Sequence, residues 1–438
     1  MKAKQKLVVI GNGMAPGRML ENLIDADPDA YDVTIFNAEP RVNYNRLMLS
    51  PVLSGEKTYS DIITHDDNWY DERDITLHKS SRISKIDRDA KTVSSDNGIE
   101  CTYDKLVIAT GSNPFIIPLP GKDLEGVLTY RDLDDVETMI EVSNSGGHAV
   151  VIGGGLLGLE AAAGLKAQGM EVTVLHLMPT LMERQLDTAA GFLLERAFED
   201  LGIQVMTKAN THEIMGASGK VSGVKLDDGT VLPCKMVVMA VGIRPSADLA
   251  KSCGLDTNRG VLVSDDMRTS DPDIFALGEC VEHRDQCYGL VAPLYEMAGV
   301  IAQNLLDGSE TYTGSVTATK LKVTGIDLYS AGDFAEAEDR EEIVLRDASG
   351  GIYKRLVIKE NRVIGAVLYG DTADGPWFFD LLKKGTDISE MRDTLIFGQA
   401  YQGGEPLDPL AAVAALPDDA EICGCNGDCK SAITGKIS

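Results

Sequence analysis

Two stretches of the chain carry one order of apolar and polar positions. Residues 6–39 open on the apolar run Leu7-Val8-Val9-Ile10, pass through a glycine turn and a helical stretch, and reach a second apolar run, Val33-Thr34-Ile35-Phe36. Residues 148–176 repeat this with Ala149-Val150-Val151-Ile152 and Val172-Thr173-Val174-Leu175. Strands that are apolar on both faces belong to parallel sheets covered by helices on either side, so each stretch predicts the start of a doubly wound βαβ unit. Lys105-Leu106-Val107-Ile108-Ala109, running into Thr110-Gly111, predicts a third strand for the first unit; Met236-Val237-Val238-Met239-Ala240, running into Val241-Gly242, is its counterpart in the second. The segment Asp273-Ile274-Phe275-Ala276-Leu277-Gly278-Glu279 reads as another buried strand that ends at a ligand. Beyond about residue 310 the pattern shortens and alternates. Leu356–Lys359 and Val363–Leu368 meet at the polar turn Glu360-Asn361-Arg362, which predicts an antiparallel α+β module.

The predicted fold class is therefore α/β, with two Rossmann-like units and a C-terminal α+β domain. The second unit, 119–244, is inserted into the first, 1–118 and 245–310; the α+β domain takes 311–402, and 403–438 form a linker and a cysteine-bearing tail.

The glycine turns carry the chemistry. Gly153-Gly154-Gly155-Leu156-Leu157-Gly158 follows a buried strand directly. In such a motif Gly153 permits the tight turn, Gly155 lets the backbone approach a pyrophosphate, and Gly158 lets the helix pack on the strand. The helix N-terminus then offers free N–H groups and positive dipole to the phosphates. The first turn, Gly11-Asn12-Gly13-Met14-Ala15-Pro16, has proline where the third glycine is expected and Gly17 one place later. Proline is tolerated in a first helical turn, but the helix must pack differently on the strand. Past the second strand stands Glu39, a candidate acceptor for an adenosine ribose or else an exposed loop carboxylate. Two dinucleotide folds imply two dinucleotides, with hydride transfer between them the simplest chemistry.

Composition narrows the surroundings. Lys and Arg total 41 against 68 Asp and Glu, a net charge of −27. So acidic a surface disfavours nucleic acid and anionic membranes as partners. No apolar run approaches the roughly 20 residues that span a bilayer, and the start of the chain is too soon interrupted by glycine to be a signal peptide. A cytoplasmic location is the expectation, and a homodimer is compatible with the sequence. Of eight cysteines, five are scattered (Cys101, Cys234, Cys253, Cys280, Cys287) and are expected to be small buried hydrophobes. Cys423, Cys425 and Cys429 crowd the end of the chain.

The first glycine turn, Ala109-Thr110-Gly111 and the strand ending in Gly278-Glu279, in that order with a nicotinamide unit between the last two, resemble the FAD-contact segments of the pyridine-nucleotide-disulfide reductase superfamily. That resemblance implies a glutathione-reductase-like arrangement with FAD in the first unit and NADH or NADPH in the second. It assigns Gly11, Gly13, Met14, Ala15, Glu39, Arg46, Ile83, Ala109, Thr110, Gly111, Gly278, Glu279 and Leu294 to FAD. It assigns Gly153, Gly155, Leu156, Leu157, Gly158, Glu160, His176 and Gly242 to the nicotinamide nucleotide. Glu279 stands where the superfamily usually has aspartate. Arg46 is otherwise a surface loop arginine, and Glu160, placed beside nicotinamide and flavin, is otherwise a helix carboxylate paired with a lysine. No residue is nominated as a certain acid, base or nucleophile, because hydride transfer to a flavin needs none. The helix after Val291-Ala292-Pro293-Leu294 is expected to aim its N-terminus at the flavin.

The superfamily's Cys-x₄-Cys redox pair is absent: the only cysteine before residue 234 is Cys101. The segments "VNYNRLMLSPVLSGEKT", "HLMPTLMERQLD", "GECVEHRDQCYGLVAPLYE" and "TKLKVTGIDLYSAGDF" resemble the N-terminal half of the large subunits of bacterial NAD(P)H nitrite reductases, and the related electron-transfer subunit of assimilatory nitrate reductase. In that family a [2Fe–2S] domain follows, and Cys423 and Cys425 match its opening pair. A cluster needs four thiolates, so the resemblance implies a truncated domain here and a cluster only in a longer chain. The acceptor of the electrons is then a downstream iron–sulfur and sirohaem module or subunit. A slow redox sensor that merely holds FAD is the rival from another class; an oxygen- or peroxide-reducing NADH oxidase would need a cysteine near the flavin, and none is expected there. At the end of the second unit's second strand stands His176, which neither rejects a 2′-phosphate as a carboxylate would nor binds it as arginine would. With Arg184 the nearest arginine, a modest preference for NADH over NADPH, about tenfold, is expected.

Overall fold

The structure is a computed structural model that describes residues 4–321, 323, 325–347, 349–402, 421–423 and 428–429. The Leu7–Ile10 run is fully sequestered in the centre of a five-stranded sheet ordered Ile274–Ala276, Lys105–Ile108, Gln5–Ile10, Tyr31–Phe36, Thr76–His78, every pairing parallel. The second unit repeats it in the order Val127–Thr129, Met236–Met239, His148–Ile152, Glu171–Leu175, Gln204–Met206, again all parallel. The helices Met14–Ala26 and Leu156–Ala167 follow the two glycine turns. Both sheets are thus doubly wound α/β sheets, as the continuous apolar runs require. Each unit also has a small antiparallel sheet: Ile83–Asp87, Thr92–Ser95 and Glu100–Thr102 in one, Thr211–Ala217, Lys220–Leu226 and Val231–Pro233 in the other. Where the chain leaves the first unit and later returns, Ser112–Pro114 pairs antiparallel with Ile243–Pro245, a two-stranded neck.

The C-terminal module is an antiparallel sheet ordered Ala318–Lys320, Leu328–Gly332, Arg362–Tyr369, Ile352–Lys359, Glu341–Asp347. Its central hairpin turns on two residues rather than three, because Glu360 and Asn361 both take φ near +50°, the geometry of a tight hairpin turn, and Arg362 already belongs to the strand. One face of this sheet packs with Phe378 and Leu381 of the Gly375–Lys384 helix. Leu328, Tyr353 and Val367 instead share a core with Leu194 and Phe198 of the second unit and with Tyr44 and Leu49 of the first. Among the described residues no helix is long and apolar enough to cross a membrane.

Candidate functional site: two glycine turns and the side chains around them

The two turns are built alike. Gly11 N–H donates to Phe36 O and Gly153 N–H to Leu175 O, both at 2.8 Å. Gly11 has φ +112° and Gly153 φ +122°, and a Cβ at either would lie 2.2 Å from a carbonyl oxygen, of Ala109 and of Ala240 respectively. Only glycine fits there. Gly13 and Gly155 differ: both are extended, and a Cβ on either meets no protein atom within 4 Å. Among the described residues nothing demands glycine at these two places, and the backbone there stands open. Each also caps a helix with no side-chain hydrogen bond and no acid in the first turn, so the N–H groups of Met14-Ala15 and Leu156-Leu157 keep their capacity for an anion. This open cradle fits a dinucleotide pyrophosphate at each turn.

The third position separates the units. A Cβ at Gly158 would sit 2.0 Å from Gly153 O, so the helix rests directly on the turn. In the first unit Pro16 holds that place. Gly17 is not its substitute: a Cβ there would meet Asn43 Nδ2 at 2.9 Å and the His65 ring at 3.2 Å. Gly17 makes room for Asn43, whose amide donates to the carbonyls of Asn12 and Gly13 at 3.0 and 2.7 Å and stiffens the turn.

Around the first turn the structure joins residues far apart in sequence. Glu39 is half-buried, accepts from Tyr44 Oη at 2.8 Å and pairs with Arg46, so neither is a free surface group. Arg46 Nη1 also donates to Arg131 O at 3.2 Å, and the Arg131 guanidinium pairs with Glu279. Glu279 further accepts from Ser112 Oγ at 2.8 Å. Sequence reasoning missed Arg131, and only its arginine identity hinted at a carboxylate partner. Thr110 Oγ1 donates to Ser246 O at 2.7 Å beside the neck. Ala109 is buried, Gly111 and Gly278 take φ of +66° and +89°, and Leu294 lies buried in the Val291–Leu305 helix, whose N-terminus has no side-chain cap. Ile83 lies in the core of the first unit.

Around the second turn, His176 is buried, accepts from Gly154 N–H through Nδ1 at 3.0 Å, and contacts Glu183 Oε2 through Nε2 at 3.0 Å. Gly154 and Glu183 were both missed; the run of three glycines was the available signal for the former. Gly242 has φ +109° and open space above it. Glu160 is buried and accepts from Ser50 Oγ at 2.6 Å, and Ser50 Oγ lies 3.0 Å from the Tyr130 hydroxyl. Its shown partner is therefore a hydroxyl brought from the first unit.

The cysteines require two corrections. Cys101, Cys253 and Cys287 are only half-buried, while Cys234 and Cys280 are buried. Cys280 does stand near the flavin-contact segments, with Sγ 3.2 Å from Leu277 O and 3.5 Å from Ile108 O. Burial pushes its thiol up from the ordinary value, which keeps it protonated and a poor nucleophile. Cys425 lies outside the described residues, and Cys423 is described by backbone alone, in the Glu421–Cys423 strand.

Two open glycine turns that fit a pyrophosphate, on two doubly wound sheets, are the pattern of a class, the two-dinucleotide oxidoreductases. The chain belongs to the pyridine nucleotide-disulphide oxidoreductase family, whose profile matches residues 5–304, and residues 318–386 match the rubredoxin NAD+ reductase C-terminal domain. It is thus an NAD(P)H-dependent flavoprotein oxidoreductase of FAD-binding type. The nitrite reductase [NAD(P)H] of Bacillus subtilis (strain 168) is 46% identical over 99% of this chain and 53% of its own length. The assimilatory nitrate reductase electron transfer subunit of the same organism is 39% identical over 99% of this chain and 55% of its own. The chain spans about half the length of these curated relatives. The NADH:rubredoxin oxidoreductase structure from Clostridium acetobutylicum superposes with TM-score 0.74 at 25% identity, covering 89% of this chain and 97% of that one.

Proposed function

We propose that this chain is the electron-collecting part of a cytoplasmic nitrite reductase: it takes reducing equivalents from NADH and delivers them to an iron–sulfur and sirohaem module that reduces nitrite to ammonia. The observation that carries this reading is the 46% identity to a nitrite reductase, extending across 99% of the chain and through the C-terminal module. FAD, when bound, supplies the conversion of a two-electron hydride into single electrons. The chain's own residues bind and position. Gly13 and Gly155 admit the two pyrophosphates, and the helix N-termini behind them hold the charge. Glu39, steadied by Tyr44 and Arg46, is placed to accept from a ribose hydroxyl; Glu279, steadied by Ser112 and Arg131, is placed to accept from the flavin's sugar-alcohol chain. The buried, protonated Cys280 offers no dithiol route, which favours one-electron acceptors over disulfides. A carboxylate near the second turn favours NADH over NADPH. The 39% identity to a nitrate reductase electron transfer subunit supports the same role beside a different acceptor module.

The test is acceptor choice. With FAD-loaded protein and NADH, ferricyanide should be reduced with many turnovers, while a small aromatic disulfide and nitrite itself should not be consumed. Disulfide reduction as fast as ferricyanide reduction would overturn the reading. Flavin that NADH reduces in a single slow turnover would instead support a sensor.

A further inference from the structure

We propose that Glu183, held by His176, selects NADH over NADPH, in place of the acid that ordinarily ends the second strand of an NAD-binding unit. The inference rests on reading the second turn as the nicotinamide-nucleotide site, and it makes the donor preference the property of one carboxylate.

The strand Glu171–Leu175 ends one residue before His176, where an acid would ordinarily accept from the ribose 2′-hydroxyl. The imidazole is buried and turned onto the glycine turn. Its Nδ1 accepts the Gly154 N–H at 3.0 Å, so the ring proton sits on Nε2 and is donated to Glu183 Oε2 at 3.0 Å. The ring thereby ties the Glu183 carboxylate to the glycine turn.

The position of residue 183 is fixed from the other side as well. Met182 N–H donates to Gly154 O at 2.9 Å, with Met182 at φ +50°. A Cβ on Gly154 would fall 2.5 Å from Leu181 Cδ2 and 2.7 Å from His176 Cγ. Gly154 therefore serves as the point where the loop after the strand docks onto the turn, with its N–H and its carbonyl both taken by that loop. Glu183 is the next residue, and its side chain stays 31% exposed, open to a ligand. A carboxylate so placed accepts from a 2′-hydroxyl and repels a 2′-phosphate. A neighbouring cation, Arg184, is 86% exposed with Nε 3.9 Å from Glu183 Oε1; it is available to a phosphate once the carboxylate's charge is gone.

The experiment is calorimetric titration of FAD-loaded protein with NAD+ and with NADP+. Wild type should bind NAD+ at least about tenfold more tightly. Glu183→Gln should bring the two affinities within about threefold of each other, chiefly through tighter NADP+ binding. His176→Gln keeps an N–H donor toward Glu183 and should retain the preference, whereas the shorter His176→Asn should lose it. Flavin content and thermal midpoint report that each variant is folded. A wild-type preference that survives Glu183→Gln overturns the Glu183 assignment and leaves the NADH reading standing. Equal wild-type affinities overturn the NADH reading itself. Retention of the preference in both His176 variants overturns the positioning role of the imidazole.

Discussion

The two nucleotide turns share a backbone and differ in how they present an acid. In both, a positive-φ glycine donates to the end of the second strand and a second glycine opens the backbone to a ligand. The first unit then brings Glu39 from just beyond its strand and pairs it with Arg46, so the carboxylate works beside a cation. The second unit follows its strand with a histidine and reaches forward to Glu183, held by the imidazole. Backbone requirements admit one solution, while a carboxylate can be delivered by any segment that folds to the same place.

The glycines offer the sharpest way to break the parallel. Because a Cβ at Gly13 or Gly155 meets no protein atom within 4 Å, valine at either should leave the fold intact and block only the ligand. Gly13→Val should purify without flavin. Gly155→Val should stay yellow but fail to bleach with anaerobic NADH. Gly158→Val, whose Cβ would lie 2.0 Å from Gly153 O, should instead cost stability, on the order of 1–3 kcal/mol or more. Flavin-to-protein absorbance, NADH bleaching and thermal melting separate the three. Flavin loss in Gly155→Val with NADH binding lost in Gly13→Val would reverse the assignment of cofactors to units.

What was legible in the sequence follows the same division. Strands apolar on both faces, and glycines whose spacing answers to a local turn, announce themselves, because their causes lie within a few residues. The pairing of Arg131 with Glu279 spans 148 positions, and nothing near either residue implies the other. Glu183 was hidden by a rule that looks only at the end of the strand; the docking loop that carries it depends on Gly154 having no side chain. Cys280 was passed over because its neighbourhood is set by Ile108, a residue of another strand. The exchange of Gly158 for Pro16 was visible, but the use of Gly17 to seat Asn43 and His65 was not.

A smaller effect should mark the Arg131 cation beside the first turn. The Arg131 and Glu279 side chains are 19% and 14% exposed, so removing one partner strands a largely desolvated charge. Arg131→Met should weaken FAD binding about tenfold or more, followed by recovery of free-flavin fluorescence on dilution. NAD+ affinity of the protein kept saturated with FAD should not move. An unchanged flavin Kd would show that Glu279 finds another donor once the nucleotide is in place, and the contrast between a cation-braced and a histidine-braced acid would lose its force.

The smallest effect concerns the seam between the units. Ser50, in the Leu49–Ser54 helix of the first unit, donates to Glu160 Oε2 at 2.6 Å, and Glu160 belongs to the Leu156–Ala167 helix of the second. A hydrogen bond to a buried carboxylate contributes about 1.5–3 kcal/mol. Ser50→Ala should therefore lower the apparent melting temperature by a few degrees, and Ser50→Thr, which keeps the hydroxyl, should restore most of the loss. The informative readout is NAD+ affinity. Glu160 lies beyond the open first turn of its helix and is buried, so as a bridge between units it should leave that affinity unchanged. If Ser50→Ala weakened NAD+ binding as well as stability, Glu160 would belong with the nucleotide, as the family resemblance implies. The two turns would then be coupled through one serine rather than standing as separate sites on a common frame.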